Sequence, residues 1–421
     1  MTTLKQAQAN FKFRSFPALL GFLFVFGFFV FWRLGFPAVP YFDEVYHVPS
    51  ARNLLNLSAY SDLAHPPFGK LLMAWSISLF GDHSWVWRFP SAVFGMGTLI
   101  VLFLLTARLT ASRNIALLTT VLIGLDGMHL VQSRAAMLNT TMFFFMWLSL
   151  LLLIYNHQRA KGPVRWLYIL SGLSIGLAVS TRIVAAMMLP ILAITHAQMF
   201  CRRTGRWPLD LRLLLEIALY WGLLPLAVYE AAWFLVIPQI ENKTLIDGWR
   251  SQNIMVNYHV HLKAGHNSGS AWWSWPFMIE PAWFDFRMFG KYTVAGVIAL
   301  GNPAVYWMTL PAMFYSFFLY IKRHDLLHGS LLVGFLLLWL PCSFMHRVQF
   351  LHYYETAVPF VLISMALLLR DLWRQGPAGR LAVTFYFCVV VILFVYWLPL
   401  WTDLPIPHPY YRHHMWFKGW V

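Results

Sequence analysis

Apolar runs of about twenty residues recur throughout this chain, and they limit its fold more than any other feature of the sequence. A run of that length crosses the hydrocarbon core of a bilayer as one helix. Of the 421 residues, 59% are hydrophobic and 11% are charged, whereas about a quarter of the residues of a soluble domain are charged. The sequence therefore excludes a soluble globular enzyme and predicts an all-α polytopic membrane protein.

The apolar runs predict eleven membrane-spanning helices. Their ranges are 16–36, 87–107, 114–130, 139–156, 165–181, 183–200, 213–237, 293–321, 328–345, 354–370 and 380–399. Two outer connections, 37–86 and 239–291, are long enough to fold. We expect a single membrane-embedded domain over 1–421, in which these two loops form a cap that carries the site, with no soluble appended domain. The apolar stretch 68–80 is too short to span and predicts an interfacial helix in the first loop.

The distribution of charge predicts the orientation of these helices. Lys and Arg concentrate on the cytoplasmic side of membrane proteins, and more than half of the 31 basic residues fall on that side if the N-terminus is cytoplasmic. Most of the 16 acids fall on the other side, which indicates that chemistry takes place there. We expect a protein of the plasma (inner) membrane with an extracytoplasmic active site and C-terminus.

The net charge of +15 does not predict a nucleic-acid partner, because the basic residues are scattered between apolar runs and form no patch. Cationic helix ends next to anionic membrane lipid explain the charge more simply. Lys5, Lys12 and Arg14 precede the first apolar run, as in a signal peptide, but no small-residue cleavage site follows before Trp32. We therefore expect a retained first helix.

Two adjacent carboxylates, Asp43 and Glu44, follow the first predicted helix. Neighbouring carboxylates oppose each other's ionisation, and a carboxylate with a raised pKa is a better general base near neutral pH. The pair is therefore a candidate for proton transfer. On these residues alone, an exposed acidic pair in an ordinary loop fits slightly better.

The segment from His65 to Lys70 contains two prolines and Gly69. The prolines favour an extended backbone, and a glycine permits close approach to a ligand. Lys70 then stands at the start of the interfacial stretch, at the depth of lipid phosphates. A proline turn with a snorkelling lysine explains the segment equally well.

Four arginines, Arg88, Arg134, Arg182 and Arg347, lie at the outer ends of predicted helices. Snorkelling explains each of them alone. Together, on the face that also holds the acids, they favour a polyanionic headgroup, since a guanidinium can bond two phosphate oxygens at once.

The second outer loop is rich in histidine and tryptophan. It holds His259, His261 and His266, followed by Trp272, Trp273, Trp275 and Trp283. Without cysteines or a clear fourth ligand, the histidines do not predict a metal site. The tryptophans fit an interfacial belt, although aromatic faces also stack on sugars.

Taken in order, these segments resemble the protein O-mannosyltransferase family, and in particular its bacterial branch, within the C-type glycosyltransferases that use polyprenyl-phosphate sugars. The resemblance runs along essentially the whole chain. It rests on Phe42-Asp43-Glu44, His65 to Leu72, Arg88 to Ala92 with Gly95, His266 with Ser270, Trp273, Trp275 and Pro276, Gly301-Asn302-Pro303, Arg347 with His352-Tyr353, and the tail Trp401 to Ile406.

The resemblance implies an eleven-helix fold and specific roles. Asp43 resembles the catalytic base of the family, Glu44 its essential neighbour, and Arg88 the required arginine beside the acceptor and donor sites. Lys70, Arg134 and Arg347 are then expected to contact the donor phosphate. The expected substrate-binding set is completed by His65, Asn139, Arg182, His266, Ser270, Trp273, His352 and Tyr353.

Three positions depart from the pattern of the family. Asn139 stands where members usually carry an acid, and a neutral amide cannot act as a base. Arg182 lies near a position where a lysine is common, and the loop 239–291 is too short for the sugar-binding domain of the eukaryotic enzymes. These departures affect the prediction of the acceptor more than the prediction of the reaction.

The resemblance implies transfer of a hexose, expected to be mannose, from a polyprenyl-phosphate donor to Ser or Thr hydroxyls of secreted or membrane proteins, with inversion. The membrane lipid is a further partner, and no resident cofactor is expected, with a divalent cation left open. Three alternatives remain: a polyprenyl-phosphate sugar transferase acting on lipid A or a cell-wall glycan, a polytopic transporter, and a non-catalytic scaffold for a lipid carrier.

Overall fold

The structure of this chain is a computed structural model that describes residues 15–58, 60–205, 210–236, 244–262 and 265–421. Lys5, Lys12, Arg14 and Arg206, which contribute to the predicted cytoplasmic charge, lie outside the described residues. The described chain is mainly helical, which confirms the predicted helical membrane architecture.

Each segment predicted to span a membrane contains at least one helix. In chain order the longer α-helices are α1 (Ser15–Phe31), α2 (Glu44–Leu55), α3 (Phe68–Phe80), α4 (Ser84–Thr110), α5 (Arg113–Gly124), α6 (Gly127–Arg134), α7 (Asn139–His157), α8 (Arg165–Thr181), α9 (Met188–Thr204), α10 (Leu211–Ala218), α11 (Leu224–Phe234), α12 (Leu245–His261), α13 (Thr309–Arg323), α14 (Leu326–Trp339), α15 (Val358–Trp373) and α16 (Pro377–Trp401). Short helical turns at Leu340–Phe344 and Leu351–Thr356 connect α14 to α15.

Seven helices among the described residues are long and apolar enough to cross a membrane, and an eighth is reached if α5 and α6 form one span bent by 64°. The remaining predicted spans coincide with α1, α8 and α15, which are 17, 17 and 16 residues long. The total of eleven spans therefore stays a prediction. The short apolar stretch in the first outer loop forms α3, as its length indicated.

A small antiparallel sheet in the second outer loop was not predicted. Strand β1 (Ala282–Phe289) pairs with β2 (Thr293–Ala299), and the tail strand β3 (Ile406–Pro407) pairs with the other edge of β2. The predicted span 293–321 is therefore wrong at its start, since its first residues belong to β2. Valine, isoleucine and threonine dominate β2 and favour strands. A short apolar run, however, cannot be assigned to a strand or a helix by its hydropathy alone, so β2 was included in the span that follows it.

The sheet fastens the C-terminal tail to the second outer loop. Trp420 is fully buried, and its indole N–H donates to the carbonyl of Met278 at 2.6 Å. The carbonyl of Trp420 in turn accepts a hydrogen bond from the indole of Trp283 at 2.9 Å. The tail and the second outer loop therefore lie on the same face of the protein, as the charge distribution predicted for both.

The bend between α5 and α6 is fixed by buried polar contacts. The backbone N–H of Asn302 donates to the Asp126 carboxylate at 2.7 Å, and the Asn302 amide donates to the carbonyls of Leu125 and Val390, both at 3.0 Å. These bonds satisfy backbone groups that the break exposes. Gly127 follows directly, and the buried indole of Trp401 at the end of α16 packs against it.

Gly127→Ala should lower the stability of the protein. A Cβ atom at this position would overlap the indole of Trp401, which is enclosed and has no room to move. Overpacking of this kind costs about 1–3 kcal/mol. Gly21→Ala is the matched control, because its Cβ in α1 meets no atom within 4 Å. Thermal unfolding in detergent should show a lower melting temperature for the first variant only, and equal melting temperatures would contradict this packing.

Candidate active site

A buried ion pair between Glu44 and Arg88 fixes the first outer loop. The Arg88 guanidinium donates two parallel hydrogen bonds to the Glu44 carboxylate, from Nε to Oε1 at 2.8 Å and from Nη2 to Oε2 at 2.9 Å. Both side chains are 0% exposed. A bidentate pair is among the strongest contacts open to arginine, and a buried charge needs such a partner.

The same pair ties the loop before Asp43 to the rest of the cap. The remaining Arg88 donors bond the carbonyls of Leu34, Pro37 and Val39 at 3.0, 2.8 and 3.3 Å. Glu44 Oε1 also accepts the backbone N–H of Ala136 at 2.6 Å. All five N–H groups of Arg88 are thereby used. No N–H group of Arg88 remains for a substrate, and the role expected for it beside the acceptor and donor sites stays a prediction.

Phe42 fixes the backbone direction immediately before Asp43. Its φ of +49° is a left-handed conformation that residues with large side chains rarely adopt. The Phe42 ring stacks on Phe284 with 4.2 Å between centroids and meets the edges of Phe350 and His352 at 5.8 and 5.9 Å. These contacts hold a conformation that costs about 1–3 kcal/mol. They therefore set the direction of the next residue, Asp43.

The Asp43 carboxylate is half-buried at the start of α2. Its backbone carbonyl accepts the N–H groups of Tyr46 and His47 at 3.0 and 3.1 Å. In the part of the chain that the structure describes, no donor bonds its carboxylate. Burial raises the pKa of the Tyr258 hydroxyl; the charge of Arg347 opposes this shift, and Tyr46 and Asp43 add to it. The backbone of Asp43 is thus anchored, while its carboxylate has no hydrogen-bond donor among the described residues.

Lys70 does not reach the position that the sequence predicted for it. Its ammonium group is fully buried and donates to the Asp62 carbonyl at 2.6 Å, the His65 carbonyl at 2.9 Å and Asp62 Oδ2 at 3.1 Å. An ammonium group has three donors, so none remains for a phosphate. Burial lowers the pKa of Lys70 to about 8, although Asp62 opposes the shift. The predicted donor-phosphate contact is therefore wrong, and Lys70 shapes the loop that carries His65.

Arg134 is also bound by the protein itself. Its Nη1 donates to the carbonyls of Val30 at 2.9 Å and Trp32 at 2.7 Å, and also to that of Phe29. These carbonyls belong to the C-terminal end of α1, where a cation is favourable. The side chain therefore caps a helix, and the expected contact between Arg134 and a donor phosphate stays a prediction.

A cavity of about 460 Å³ lies between α7, the turn Ile183–Met187, α12 and the segment that joins α14 to α15, a size typical of small-molecule sites. Its wall is largely apolar and includes Met142, Phe143, Ile183, Met187, Leu338 and Met345. The same wall brings together six of the residues that the sequence predicted: His65, Asn139, Arg182, Arg347, His352 and Tyr353. The cavity therefore suits an amphiphile with a polar head and an apolar tail.

Two arginines of the cavity wall have no carboxylate partner among the described residues. The Arg182 guanidinium donates to Asn139 Oδ1 and lies 5.5 Å from the centroid of the Tyr353 ring. Arg347 donates to the Tyr353 hydroxyl at 2.7 Å and to His259 Nδ1 at 2.6 Å. With only neutral partners, both cations keep their charge for an anion in the cavity.

His259 connects the two outer loops at the cavity. Its Nε2 donates to the Ala64 carbonyl at 2.6 Å, which leaves Nδ1 to accept from Arg347. Burial and the nearby Arg347 lower the pKa of His259 to about 4, so the ring stays neutral and can accept this bond. From the sequence, His259 stood out only as one of three histidines that do not predict a metal site.

The other two histidines of the wall are neutral as well. Burial lowers the pKa of His65 well below its usual value, and Arg182 lowers it further. Burial, Arg182 and Arg347 act in the same way on the pKa of His352. The Nδ1 atom of His352 is buried and has no hydrogen-bond partner among the described residues. A neutral imidazole beside two arginines can bond a sugar hydroxyl without repelling a cationic neighbour.

The remaining predicted residues lie outside the cavity wall. His266 is exposed, and its ring lies 6.2 Å from that of Phe42, which places it beside Asp43. Ser270 is buried, and its hydroxyl accepts the indole N–H of Trp275 at 3.0 Å. Trp273 is 55% exposed on the surface. Ser270 therefore supports the loop, and its expected contact with substrate stays a prediction.

Sequence reasoning missed a buried polar group at the end of the cavity. Glu355 lines the wall, accepts a hydrogen bond from Gln132, and lies 2.8 Å from His129 Nδ1. The acid lies just inside a predicted span, and an ionisable residue there signals function. Among the described residues, no group of three or more His, Cys, Asp or Glu is arranged to hold a metal ion.

Comparison with known families identifies the chain. A family model described as dolichyl-phosphate-mannose-protein mannosyltransferase matches residues 81–240, and one described as the C-terminal four-TMM region of protein O-mannosyltransferase matches residues 245–420. The chain belongs to the protein O-mannosyltransferase family. The two matches together cover both outer loops in part and every helix from α4 to the tail.

Relatives and solved structures agree with this assignment. The polyprenol-phosphate-mannose–protein mannosyltransferase of Mycolicibacterium smegmatis (strain MKD8) is 26% identical over 93% of this chain and 90% of its own length. That of Mycobacterium tuberculosis (strain H37Rv) is 25% identical over 90% of this chain and 86% of its own length.

Two solved structures share the fold. The Saccharomyces cerevisiae protein O-mannosyltransferase Pmt1-Pmt2 complex, solved with its sugar donor, gives a TM-score of 0.85 at 12% identity over 100% of this chain and 94% of the other. ArnT from Cupriavidus metallidurans, bound to undecaprenyl phosphate, gives 0.56 at 15% identity over 91% and 70%. The fold is therefore that of the C-type membrane glycosyltransferases.

Arg88→Gln should destabilise the protein strongly. It leaves the Glu44 carboxylate buried without its charge partner, a change that costs about 3–5 kcal/mol. Arg52→Gln is the matched control, because Arg52 makes a similar bidentate pair with Asp82 on the surface, with both side chains about 40% exposed. Such pairs contribute about 0–1 kcal/mol. Unfolding in detergent should separate the two variants, and similar losses would show that burial of the pair is not decisive.

Proposed function

We propose that this protein transfers mannose from polyprenyl-phosphate-mannose to Ser or Thr hydroxyls of proteins, with inversion at the anomeric carbon. Family membership and the names of the relatives support this reaction. The observation that carries it is a carboxylate without a hydrogen-bond donor, Asp43, together with a cavity whose largely apolar wall holds two arginines. That combination fits a base for the acceptor and a binding site for an anionic lipid.

The donor phosphate would bind between Arg182 and Arg347, with the prenyl chain along the apolar wall. Both guanidiniums have N–H groups to spare, since their hydrogen bonds to described residues go only to Asn139, His259 and Tyr353. As the bond from the anomeric carbon to the phosphate oxygen breaks, negative charge grows on the phosphate. Fixed cations stabilise that charge without reorganisation.

Asp43 would act as the general base. It takes the proton of the acceptor hydroxyl while that oxygen attacks the anomeric carbon from the side opposite the leaving phosphate, which inverts the configuration. Phe42 packs against His352 of the cavity wall, so Asp43 follows directly from a residue that touches the donor cavity. Glu44 and Arg88 act as positioning residues, because their buried pair holds the backbone on both sides of Asp43.

The reaction would take place on the extracytoplasmic face of the inner membrane, with the N-terminus in the cytoplasm. The distribution of basic residues supports this orientation, and the sheet that joins the tail to the second outer loop keeps both on one face. Secreted and membrane proteins reach this face as they cross the membrane, so they are the acceptors.

The activity is tested with purified protein in detergent, polyprenyl-phosphate-mannose and a peptide rich in Ser and Thr. A hexose mass shift on the peptide is expected. If the peptide stays unmodified but polyprenyl phosphate is released when membrane lipids are added, the acceptor is a lipid or glycan and the proposal of a protein acceptor fails.

Asp43→Asn should lower turnover about 10²–10⁴-fold, the usual contribution of a general base, while the KM for the donor and the melting temperature stay unchanged. Asp82→Asn is the matched control, because Asp82 is an acid of the same outer loop that pairs with Arg52 on the surface. Its turnover should equal that of the wild type. An Asp43→Asn enzyme that keeps more than a tenth of wild-type turnover would exclude Asp43 as the base.

Arg347→Gln should weaken binding of undecaprenyl phosphate about tenfold or more, since a hydrogen bond to a charged group contributes about 1.5–3 kcal/mol. The dissociation constant can be measured through the intrinsic tryptophan fluorescence of the detergent-solubilised protein. Arg52→Gln again serves as the control and should bind as the wild type does. Equal affinities for Arg347→Gln and the wild type would remove Arg347 from the donor site.

A further inference from the structure

A chain of side-chain hydrogen bonds leads from the cavity to Glu355. The Arg182 guanidinium donates to Asn139 Oδ1, the Asn139 amide nitrogen donates to Gln132 Oε1, and the Gln132 amide nitrogen donates to Glu355 Oε2. Arg182, Asn139 and Glu355 line the cavity. Gln132 is fully buried behind them. We refer to these four residues as the relay.

The direction of every bond in the relay is fixed by its two ends. A guanidinium can only donate, and a carboxylate can only accept. Asn139 must therefore turn its oxygen towards Arg182 and its nitrogen towards Gln132, and Gln132 must turn its nitrogen towards Glu355. A neutral amide pair thereby links a cation to an anion that does not touch it.

His129 completes the acidic end. Its Nε2 lies 3.1 Å from the Gly95 carbonyl and Nδ1 lies 2.8 Å from Glu355 Oε1. The carbonyl can only accept, so Nε2 carries a hydrogen, and a second hydrogen must lie between Nδ1 and the carboxyl group. Glu355 thus accepts from Gln132 at one oxygen and shares a hydrogen with His129 at the other.

We propose that Glu355 is a positioning residue of the donor site, which orients Arg182 through the two amides while leaving its charge available to the donor phosphate. This inference rests on the proposed function, because it takes Arg182 as a phosphate contact. A carboxylate in direct contact would neutralise Arg182. The relay instead holds the guanidinium through one neutral oxygen and leaves its other donors facing the cavity.

The relay also gives a reason for the amide at position 139. An aspartate there would accept from Arg182 and need a donor from Gln132. The Gln132 side chain has one amide nitrogen and cannot turn it towards two carboxylates, so one of the two acids would face its carbonyl oxygen. An acid at 139 and an acid at 355 are therefore incompatible, whereas an acid at either position with an amide at the other satisfies every bond.

The test is an exchange of acid and amide between these two positions. Asn139→Asp should raise the donor KM about tenfold or more, the effect of one impaired hydrogen bond to a charged group, with a smaller change in kcat. Glu355→Gln keeps an acceptor for Gln132 and should stay within about threefold of the wild type. The double variant Asn139→Asp with Glu355→Gln restores the hydrogen bonds of the relay but still places a carboxylate on Arg182. It should therefore regain the melting temperature lost by Asn139→Asp, while its donor KM stays raised. A double variant that melts as low as Asn139→Asp, or an Asn139→Asp enzyme with the wild-type donor KM, would overturn the relay.

Gln132→Leu provides a second, uncharged test. It removes the middle of the relay, so the donor KM should rise about tenfold while the melting temperature falls. Gln252→Leu is the matched control, because Gln252 donates to Glu230 at 2.9 Å in the same way and lies outside the cavity wall. Its donor KM should not change, and a Gln132→Leu enzyme with wild-type donor KM would contradict the proposal.

Failure of the relay and failure of the proposed function give different results. If the wild-type protein neither binds undecaprenyl phosphate nor modifies the peptide, the proposed function fails. If the wild-type protein does both, and the exchange variants show no coupling between positions 139 and 355, only the relay fails.

Discussion

The buried pair of Glu44 and Arg88 is the contact on which the architecture of the site depends. A charge without water needs a partner, and here each charge is the partner of the other. The pair then uses its remaining donors and acceptors on backbone groups of five separate residues. The loop before Asp43 is held against α4 as a result. In the proposed mechanism, Glu44 and Arg88 therefore position Asp43 and do not react themselves.

The cations of the outer face fall into two groups with different physical roles. Arg88 and Lys70 have all their donors occupied by a carboxylate and by backbone carbonyls, and Arg134 bonds backbone carbonyls at the end of α1. Arg182 and Arg347 bond only neutral oxygens and a neutral imidazole ring. A cation satisfied by the protein stabilises the fold, while one with donors to spare can bind a substrate anion. The cavity lies beside the second group.

The sequence predicted the helical membrane architecture because apolar runs of sufficient length have few other solutions. Positions at helix ends pointed to Arg182 and Arg347, whereas the resemblance to the family added Asn139, His352 and Tyr353 to the expected site. The sequence could not separate the two groups of cations, because hydropathy and spacing do not tell which carbonyls a folded loop brings to an arginine. Lys70 and Arg134 were assigned to the phosphate for this reason.

The strand β2 and the relay were missed for related reasons. The residues of β2 have the same hydropathy as the helix that follows, so only the pairing with β1 and the tail defines them. Glu355 is separated from Gln132 by 223 positions, and no local pattern connects the two. A lone acid at the edge of an apolar run was the available signal.

A cryo-EM structure of the protein with polyprenyl-phosphate-mannose tests most directly whether the cavity is the donor site. The phosphate should lie within hydrogen-bond distance of Arg182 and Arg347, the prenyl chain should follow the apolar part of the wall, and the anomeric carbon should face Asp43. A phosphate bound away from both arginines, or a sugar turned away from Asp43, would contradict this assignment.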